Sequence, residues 1–257
     1  MNAETAPAAP PHDAAFEKYR QEGAYHWRNI GRHWWHHQAF TMERYRRTLA
    51  ACGPLAGKKV ADVGCGDGAL LGLLAKAVGP GGTAYGIEPN DLGRRLAGEM
   101  LGAKGLKPSL HASLDELPPG TLDGVICAEV IEHVHEPLKL LADIARVLRP
   151  GGVAVVTTPI RLTERPEDRN HIREWYFDEF AAFLATGPLK LARHEASIPI
   201  GAVEAYFSRP WCTLRVPVVR VLCNVLSIHG GINALTWLKM RPRLFLQQIA
   251  TLEKPAA

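Results

Sequence analysis

A short apolar segment that runs directly into a glycine-rich turn constrains this chain more than any other feature. Residues 60–68 read Val-Ala-Asp-Val-Gly-Cys-Gly-Asp-Gly, which predicts a buried strand followed by a tight turn. Gly64, Gly66 and Gly68 can adopt backbone angles that are closed to other residues, and they let a ligand lie against bare main chain. This combination indicates an α/β fold that binds a nucleoside-type cofactor after its first strand.

Two classes of cofactor fit this turn. Residues 64–69 satisfy the dinucleotide pattern G-x-G-x-x-G/A, and Glu88 follows at the distance expected of a carboxylate that binds ribose hydroxyls, so NAD is one candidate. Asp62 argues against NAD, because its carboxylate would lie close to the incoming pyrophosphate and repel it. S-Adenosylmethionine carries a sulfonium and an ammonium group and no phosphate, so Asp62 favours it over NAD.

Strand and helix signals alternate along most of the chain, which predicts a parallel sheet with helices on both faces. A length of 257 residues, 47% of them hydrophobic, suffices for one sizeable core. We expect helices at 69–78, at 91–101 and from Pro137 to a stop at Pro150-Gly151-Gly152, and strands at 60–63, 83–88, 108–111, 122–128 and 153–157.

The alternation loosens beyond residue 160, where we expect a helix at 177–185, a strand at 189–198 and a last strand at 243–252. Residues 216–228 are apolar but contain Arg220 and Asn224, and they are shorter than the ~20 residues that span a bilayer. They suit a packed helix or a contact with a membrane surface. The expected organisation is a disordered tail (1–15), an N-terminal helical lid (16–57), a cofactor-binding core (58–200), an inserted cap (201–241) and a last core strand with a tail (242–257).

Four sequence blocks together resemble the class I S-adenosylmethionine-dependent methyltransferases. They are residues 60–68, the acidic strand end at Glu88, residues 122–129 and residues 148–156. The resemblance implies methyl transfer from S-adenosylmethionine and a Rossmann-like, doubly wound α/β sheet of seven strands whose last strand is antiparallel. By the same resemblance, the cofactor-binding residues are Asp62, Gly64, Cys65, Gly66, Gly68, Glu88, Ser113, Leu114 and Ala128.

A run of acidic and imidazole side chains follows the expected fourth strand. Glu129, Glu132 and His133 are spaced at i, i+3 and i+4, so one helical turn would aim all three in the same direction. Two carboxylates and an imidazole form a candidate site for a hard divalent metal. His171 follows the fifth strand and is expected at the same rim, because open α/β sheets bind ligands at the carboxyl ends of their strands.

This run is similar to motifs in two branches of the resembled family. Ubiquinone-biosynthesis O-methyltransferases have a Glu-x-x-Glu-His run linked to a divalent metal. Small-RNA 2′-O-methyltransferases have a His four residues before a Trp, matched here by His171 and Trp175, although residues 172–173 depart from their motif. By this resemblance the ligands of a divalent ion such as Mg²⁺ are Glu129, Glu132, His133 and His171. Alternatively, the run caps the next turn or holds the cofactor, and Glu129 or His133 is the catalytic general base.

The N-terminal residues 25–37 contain four histidines and three tryptophans. No second ligand set with a known metal spacing accompanies them, so we expect a lid that folds over the cofactor pocket. In such a lid the indoles pack and the histidines lie at the rim. An aromatic lid suits an acceptor with a flat or sugar ring.

Composition bears on location and partners. The five cysteines form no C-x-x-C pair and residues 1–11 lack the features of a signal peptide, which favours a reduced cytoplasm. The net charge is +4, and residues 209–257 hold seven Lys/Arg residues and a single acidic residue, Glu253. This excess suits an anionic partner or a solvated basic face.

The sequence therefore predicts methylation of a hydroxyl on a small molecule, quinone-like or sugar-containing, either with the assistance of a divalent metal or with a side chain as the general base. The alternative acceptor is the 2′-hydroxyl of an RNA end, which the basic C-terminal portion and His171 support. Two other classes remain open. An NAD-dependent oxidoreductase lacks support from any Tyr-x-x-x-Lys pattern here, and Asp62 and Glu88 argue against a non-catalytic binding protein.

Overall fold

The computed structural model describes residues 19–164, 166, 168, 170–207, 217–237 and 244–256, so the expected tail at 1–15 lies outside the described residues. At its centre is a seven-stranded sheet in the order β3-β2-β1-β4-β5-β7-β6. The strands are β1 (Lys59–Val63), β2 (Thr83–Ile87), β3 (Ser109–His111), β4 (Leu122–Ala128), β5 (Leu148–Pro159), β6 (Lys190–Pro199) and β7 (Phe245–Glu253). The first five strands are parallel and β7 is antiparallel to both of its neighbours. The predicted α/β sheet with an antiparallel last strand is confirmed.

Helices pack on both faces of this sheet. They are α1 (Tyr25–Ile30), α2 (Ala39–Ala51), α3 (Ala69–Val78), α4 (Asp91–Gly102), α5 (Pro137–Val147), α6 (Phe177–Ala185), α7 (Ile200–Phe207) and α8 (Val218–Gly230). Alternate residues of β1 point to opposite faces, because side chains alternate along a strand. Ala61 and Val63 accordingly join a core cluster with α5 and α6, whereas Val60 joins a second cluster with α3 and α4.

Most element boundaries follow the local sequence signals, and β5 is the main difference. Helix α3, helix α6 and strand β4 have the predicted bounds. Helix α5 ends at Val147, and β5 begins at Leu148 and includes the Pro-Gly-Gly run that we expected to act only as a helix stop. The pairing of β4 with β5 shifts register there, and Gly151 has a φ of 73°. The run is therefore accommodated as an irregularity inside the strand.

The N-terminal segment packs on the glycine-rich turn and on α3. The Trp27 indole donates a hydrogen bond to the carbonyl oxygen of Asp67 over 2.7 Å, and a Cβ atom on Gly72 of α3 would overlap the indole ring. Trp34 and Trp35 are 44% and 45% exposed, so the expectation of packed indoles is met by Trp27 and not by these two.

The residues between β6 and β7 contribute helices α7 and α8, which pack on α2. Phe40 of α2, Tyr206 of α7 and Cys223 of α8 belong to one buried cluster. Among the residues that the structure describes, no helix combines the length and the apolar character needed to cross a membrane.

Candidate active site

A cavity of about 410 Å³ opens at the carboxyl ends of β1, β2, β4 and β5. One end is formed by the glycine-rich turn and Glu88, and the other by Glu129, Val130 and His133. Helix α2 contributes Arg44, Tyr45 and Thr48 to its wall. The cavity thus lies where open α/β sheets bind their ligands.

Hydrogen bonds tie the turn after β1 to the end of β2. Glu88 is buried, and its two carboxylate oxygens accept hydrogen bonds from the backbone N–H groups of Gly66 and Asn90, each over 2.9 Å. Burial raises the pKa of Glu88 above its ordinary value, and these two bonds oppose that shift. A carboxylate oxygen accepts more than one hydrogen bond, so Glu88 retains acceptor capacity toward a hydroxyl-bearing ligand.

The three glycines of the turn adopt conformations that favour glycine. Gly64, Gly66 and Gly68 have φ values of 71°, 54° and 80°. A Cβ atom on Gly64 would overlap Val130, and one on Gly66 would overlap the hydroxyl group of Tyr19. Bare main chain at these positions therefore lets both the N-terminal segment and a ligand approach closely.

Asp62 is a buried carboxylate with an unused oxygen. It lies in β1, two residues before Gly64, and its side chain lines the cavity. Its Oδ2 atom has no hydrogen-bond partner among the described residues. Burial, with the charge of Glu88 as the second cause, raises the pKa of Asp62 to about 8. An ammonium or sulfonium group nearby would stabilise the ionised form, so this end of the cavity fits a cationic cofactor.

Other residues expected at the cofactor are distributed differently. Cys65 and Ala128 line the cavity, and Gly68, Ser113 and Leu114 are not among its lining residues. The Ser113 hydroxyl accepts a hydrogen bond from the backbone N–H of Asp115 and caps a short 3₁₀ turn, and Leu114 is buried in the core. Cofactor contacts at these positions stay predictions.

Glu129 is held at the centre of a hydrogen-bonding network. Its Oε1 atom accepts from Thr157 Oγ1 over 2.8 Å and from Gln247 Nε2 over 3.0 Å, and its Oε2 atom accepts from Arg44 over 3.2 Å. Glu129 has a φ of 57°, which is unusual for a residue with a side chain and is often found at functional sites. The 3₁₀ turn that follows begins only at Ile131. The expected single helical turn therefore does not include Glu129, and Glu129 is not part of the cluster that Glu132, His133 and His171 form.

The rest of the run forms a cluster suited to a metal ion. Glu132, His133 and His171 place one potential ligand atom each within 4.8 Å of one another. Glu132 is fully buried, and among the described residues neither of its carboxylate oxygens makes a hydrogen bond. Burial, reinforced by the charge of Glu129, raises the pKa of Glu132 well above its ordinary value. A cation between these side chains would relieve the cost of this unpaired carboxylate.

Both histidines of the cluster are oriented through Nδ1, which leaves Nε2 available. His133 Nδ1 lies 3.0 Å from the carbonyl oxygen of Asn170, and His171 Nδ1 lies 2.5 Å from Glu174 Oε1. Such partners are the usual support for metal-binding histidines. Burial lowers the pKa of His133, which favours the neutral ring that a metal or a proton requires. Because His133 also lines the cavity, the cluster borders the ligand site.

The remaining contacts of the site join residues that are distant in the sequence. Backbone N–H groups of Ile172 and Arg173 donate to the Glu132 carbonyl oxygen, and this brings His171 beside the turn. The sequence did not predict Arg44 and Gln247 as site residues, because no local pattern marks residues that come together only on folding. Glu174 carried a usable signal, since a carboxylate three residues after a histidine is a common orienting partner.

The fold and this cavity together define a Rossmann-like enzyme scaffold whose site suits a cationic nucleoside cofactor. The sequence model of the methyltransferase-domain family matches residues 34–187, which is more than half of the chain. The chain therefore belongs to the class I S-adenosylmethionine-dependent methyltransferase superfamily. This membership answers the question between S-adenosylmethionine and NAD that the glycine pattern left open.

Individual relatives agree with this assignment. The chain is 38% identical over 109 residues to the ubiquinone biosynthesis O-methyltransferase of Thiobacillus denitrificans, covering 41% of this chain and 46% of that protein. It is 37% identical over 108 residues to the protein of the same name from Methylococcus capsulatus, covering 40% and 44%. The chain thus spans less than half the length of these relatives. A methyltransferase structure from Aquifex aeolicus superposes with a TM-score of 0.56 at 17% identity, covering 84% of this chain and 98% of that one, and shares the fold.

Proposed function

We propose that this protein transfers a methyl group from S-adenosylmethionine to a hydroxyl group of a small molecule, assisted by a divalent metal ion. One observation carries the proposal: His133 lines the cofactor cavity and also belongs to the Glu132, His133 and His171 cluster. The cofactor end and the metal-binding end therefore meet in one site.

The cofactor end of the cavity supplies binding and orientation. Asp62 stabilises the positive charge of the ligand, and Glu88 accepts hydrogen bonds from the ribose hydroxyls. The sulfonium is already a good leaving group, so the protein contributes mainly the in-line placement of the acceptor oxygen. A hydroxyl acceptor must also lose a proton.

The other end of the cavity handles that proton. Three donors already occupy the Glu129 carboxylate, so Glu129 positions Arg44 and Gln247 and shapes the acceptor site. Within the described part of the chain, His133 uses only its Nδ1 atom in a hydrogen bond, so its Nε2 atom is the better candidate for proton removal or metal binding. A divalent ion such as Mg²⁺, held by Glu132, His133 and His171, would lower the pKa of an acceptor hydroxyl.

The names of the relatives support a small-molecule acceptor. Both matched proteins are ubiquinone biosynthesis O-methyltransferases, although the match covers less than half of each. Methylation of an RNA 2′-hydroxyl is a second candidate, favoured by the position of His171 in the cluster. Trp175, the other residue of that motif, is buried in the core against Phe180 and is not placed to stack on a base.

Calorimetric titration with S-adenosylhomocysteine, repeated with Mg²⁺ and with a chelator, tests this function. We expect binding of the nucleoside in every case, and a separate heat of metal binding that disappears in His171→Ala. His194→Ala is the matched control, because that histidine stacks on Phe177 outside the site. Absence of nucleoside binding would overturn the cofactor assignment. Absence of metal binding, or metal binding that is unaffected by His171→Ala, would contradict the proposed metal site and leave the cofactor assignment standing.

The acceptor class needs a separate readout. Methyl transfer to catechol-type or sugar hydroxyls that is insensitive to moderate salt supports the small-molecule acceptor. Tight RNA binding that weakens steeply with added salt would support the RNA alternative instead, because Lys and Arg contacts to phosphate release counterions.

A further inference from the structure

Helix α8 has its polar side buried and its apolar side exposed. Val218, Leu222 and Val225 recur at i, i+4 and i+7, so they share one face, and Leu222 is 57% exposed. Asn224 and Ser227 lie on the opposite face and are buried. A helix on the surface of a water-soluble domain normally has the reverse arrangement.

Hydrogen bonds from the N-terminal segment and α7 fix this orientation. Asn224 Oδ1 accepts from the backbone N–H of Ala39 and from the Tyr206 hydroxyl, and Asn224 Nδ2 donates to the carbonyl oxygen of Trp34. His37 Nε2 lies 2.9 Å from Ser227 Oγ. Turning the apolar face inward would leave these buried polar groups unpaired, which is costly. Exposure of the apolar face is therefore built into the packing.

Neighbouring elements add further large exposed apolar side chains beside α8. Trp34 and Trp35 lie on the segment that contacts its inner side, and their rings form an edge-to-face pair with centroids 5.3 Å apart. Phe207, at the end of α7, is exposed and lies under the Arg220 guanidinium at 5.9 Å. We call Trp34, Trp35, Phe207, Val218, Leu222 and Val225 the α8 surface.

The sequence around α8 is basic. Residues 205–252 contain six Lys/Arg residues and no Asp or Glu, although the chain as a whole has 30 basic and 26 acidic residues. Arg220 belongs to α8, and the exposed His229 lies on its outer face. An apolar face bordered by tryptophans and by Arg220 matches the headgroup region of an anionic bilayer.

We propose that the α8 surface docks this protein on an anionic lipid membrane. Helix α8 has 13 residues and is about 20 Å long, too short to cross the ~30 Å hydrocarbon core, so it would lie in the interface plane. Arg46 of α2 donates hydrogen bonds to the carbonyl oxygens of Ser227 and Gly231 at the end of α8, and the same helix supplies Arg44 to the cavity. A membrane-bound α8 would thus lie one helix away from the acceptor site. Membrane docking through α8 does not depend on the proposed reaction.

Vesicle co-sedimentation tests the proposal with the full chain. We expect binding to phosphatidylcholine vesicles that contain phosphatidylglycerol, much weaker binding to pure phosphatidylcholine, and a loss of binding with added salt. Leu222→Ser/Val225→Ser should weaken vesicle binding about tenfold or more, because it removes apolar groups that enter the interface. Leu138→Ser is the matched control, since Leu138 is an exposed leucine on α5, which packs in a different core cluster.

Three outcomes would overturn the proposal. The first is no binding of the wild-type protein to either vesicle. The second is equal binding of the double variant and the wild type, with unchanged circular dichroism. The third is a wild-type dimer that dissociates in the double variant without vesicle binding, which would assign the α8 surface to a second copy of the chain.

Discussion

At the scale of single residues, the cofactor end of the site is dominated by two buried carboxylates. Burial raises the pKa of Asp62 and of Glu88, and the charge of Glu88 acts on Asp62 in the same direction. Backbone N–H groups satisfy Glu88, whereas Asp62 Oδ2 has no partner among the described residues. Asp62 Oδ2 is thus available to a cationic ligand.

The raised pKa and available Oδ2 atom of Asp62 predict that cofactor binding releases a proton. At about pH 6, well below the pKa of about 8, Asp62 is protonated in the free protein, and an ammonium ligand would favour its ionised form. Binding of S-adenosylhomocysteine should then release up to about one proton per site. Calorimetric heats in two buffers of different ionisation enthalpy measure this number. Asp62→Asn should bind without proton release, and equal release by both proteins would show that another group is responsible.

At the scale of elements, the close packing of α1 against α3 requires a glycine at their contact. A Cβ atom on Gly72 would overlap the Trp27 indole and lie 3.2 Å from Leu101 Cδ2. The indole in turn donates to the carbonyl oxygen of Asp67 in the glycine-rich turn. The position of α1 is therefore coupled to the conformation of the cofactor turn.

Gly72→Ala should release α1 from α3. The added methyl group has no space, so we expect faster tryptic cleavage at Arg28 and Arg32 and weaker nucleoside binding. Gly98→Ala is the matched control, because its Cβ would meet only Leu110 at 3.6 Å, and replacing a helical glycine by alanine typically stabilises by about 0.5–1 kcal/mol. Equal protease sensitivity of the two variants would contradict the proposed coupling.

Elements with strong local signals were predictable, and long-range contacts were not. The apolar spacing and flanking glycines of α3 set its bounds, and the four-block pattern implied the antiparallel β7. The conformation of Glu129 was not predictable, because its positive φ is maintained by partners on α2, β5 and β7. Local spacing likewise placed Pro150 at the end of a helix, although pairing with β4 draws the preceding residues into β5.

At the scale of the whole molecule, buried and half-buried histidines in three different regions make the stability of the fold depend on pH. Burial lowers the pKa of His37 between the N-terminal segment and α8, of His133 at the site and of His194 on β6. In each case the folded state favours the neutral ring. The free energy of unfolding therefore decreases as the pH falls below 6.5, the ordinary pKa of histidine. Asp62 and Glu88 act in the opposite direction, because their raised pKa values favour the protonated folded state at lower pH.

His37→Gln isolates one of these contributions. The substitution removes a group that must take up a proton on unfolding in acid, so the free energy of unfolding should decrease less between pH 7 and pH 5 than in the wild type. The difference in slope should not exceed about 1.4 kcal/mol per pH unit for one proton. Urea unfolding at the two pH values measures it. Parallel pH profiles would mean that His37 does not titrate on unfolding.

The position of β7 between β5 and β6 makes the order of synthesis matter for this fold. During translation β1 to β5 can pair as soon as they emerge, whereas β6 must wait until residues 200–244 have been made and β7 follows. Gln247 lies on that late strand and hydrogen-bonds Glu129. A nascent chain can therefore assemble the glycine-rich turn before it completes the hydrogen bonds of Glu129, so we expect one end of the cavity to form before the other.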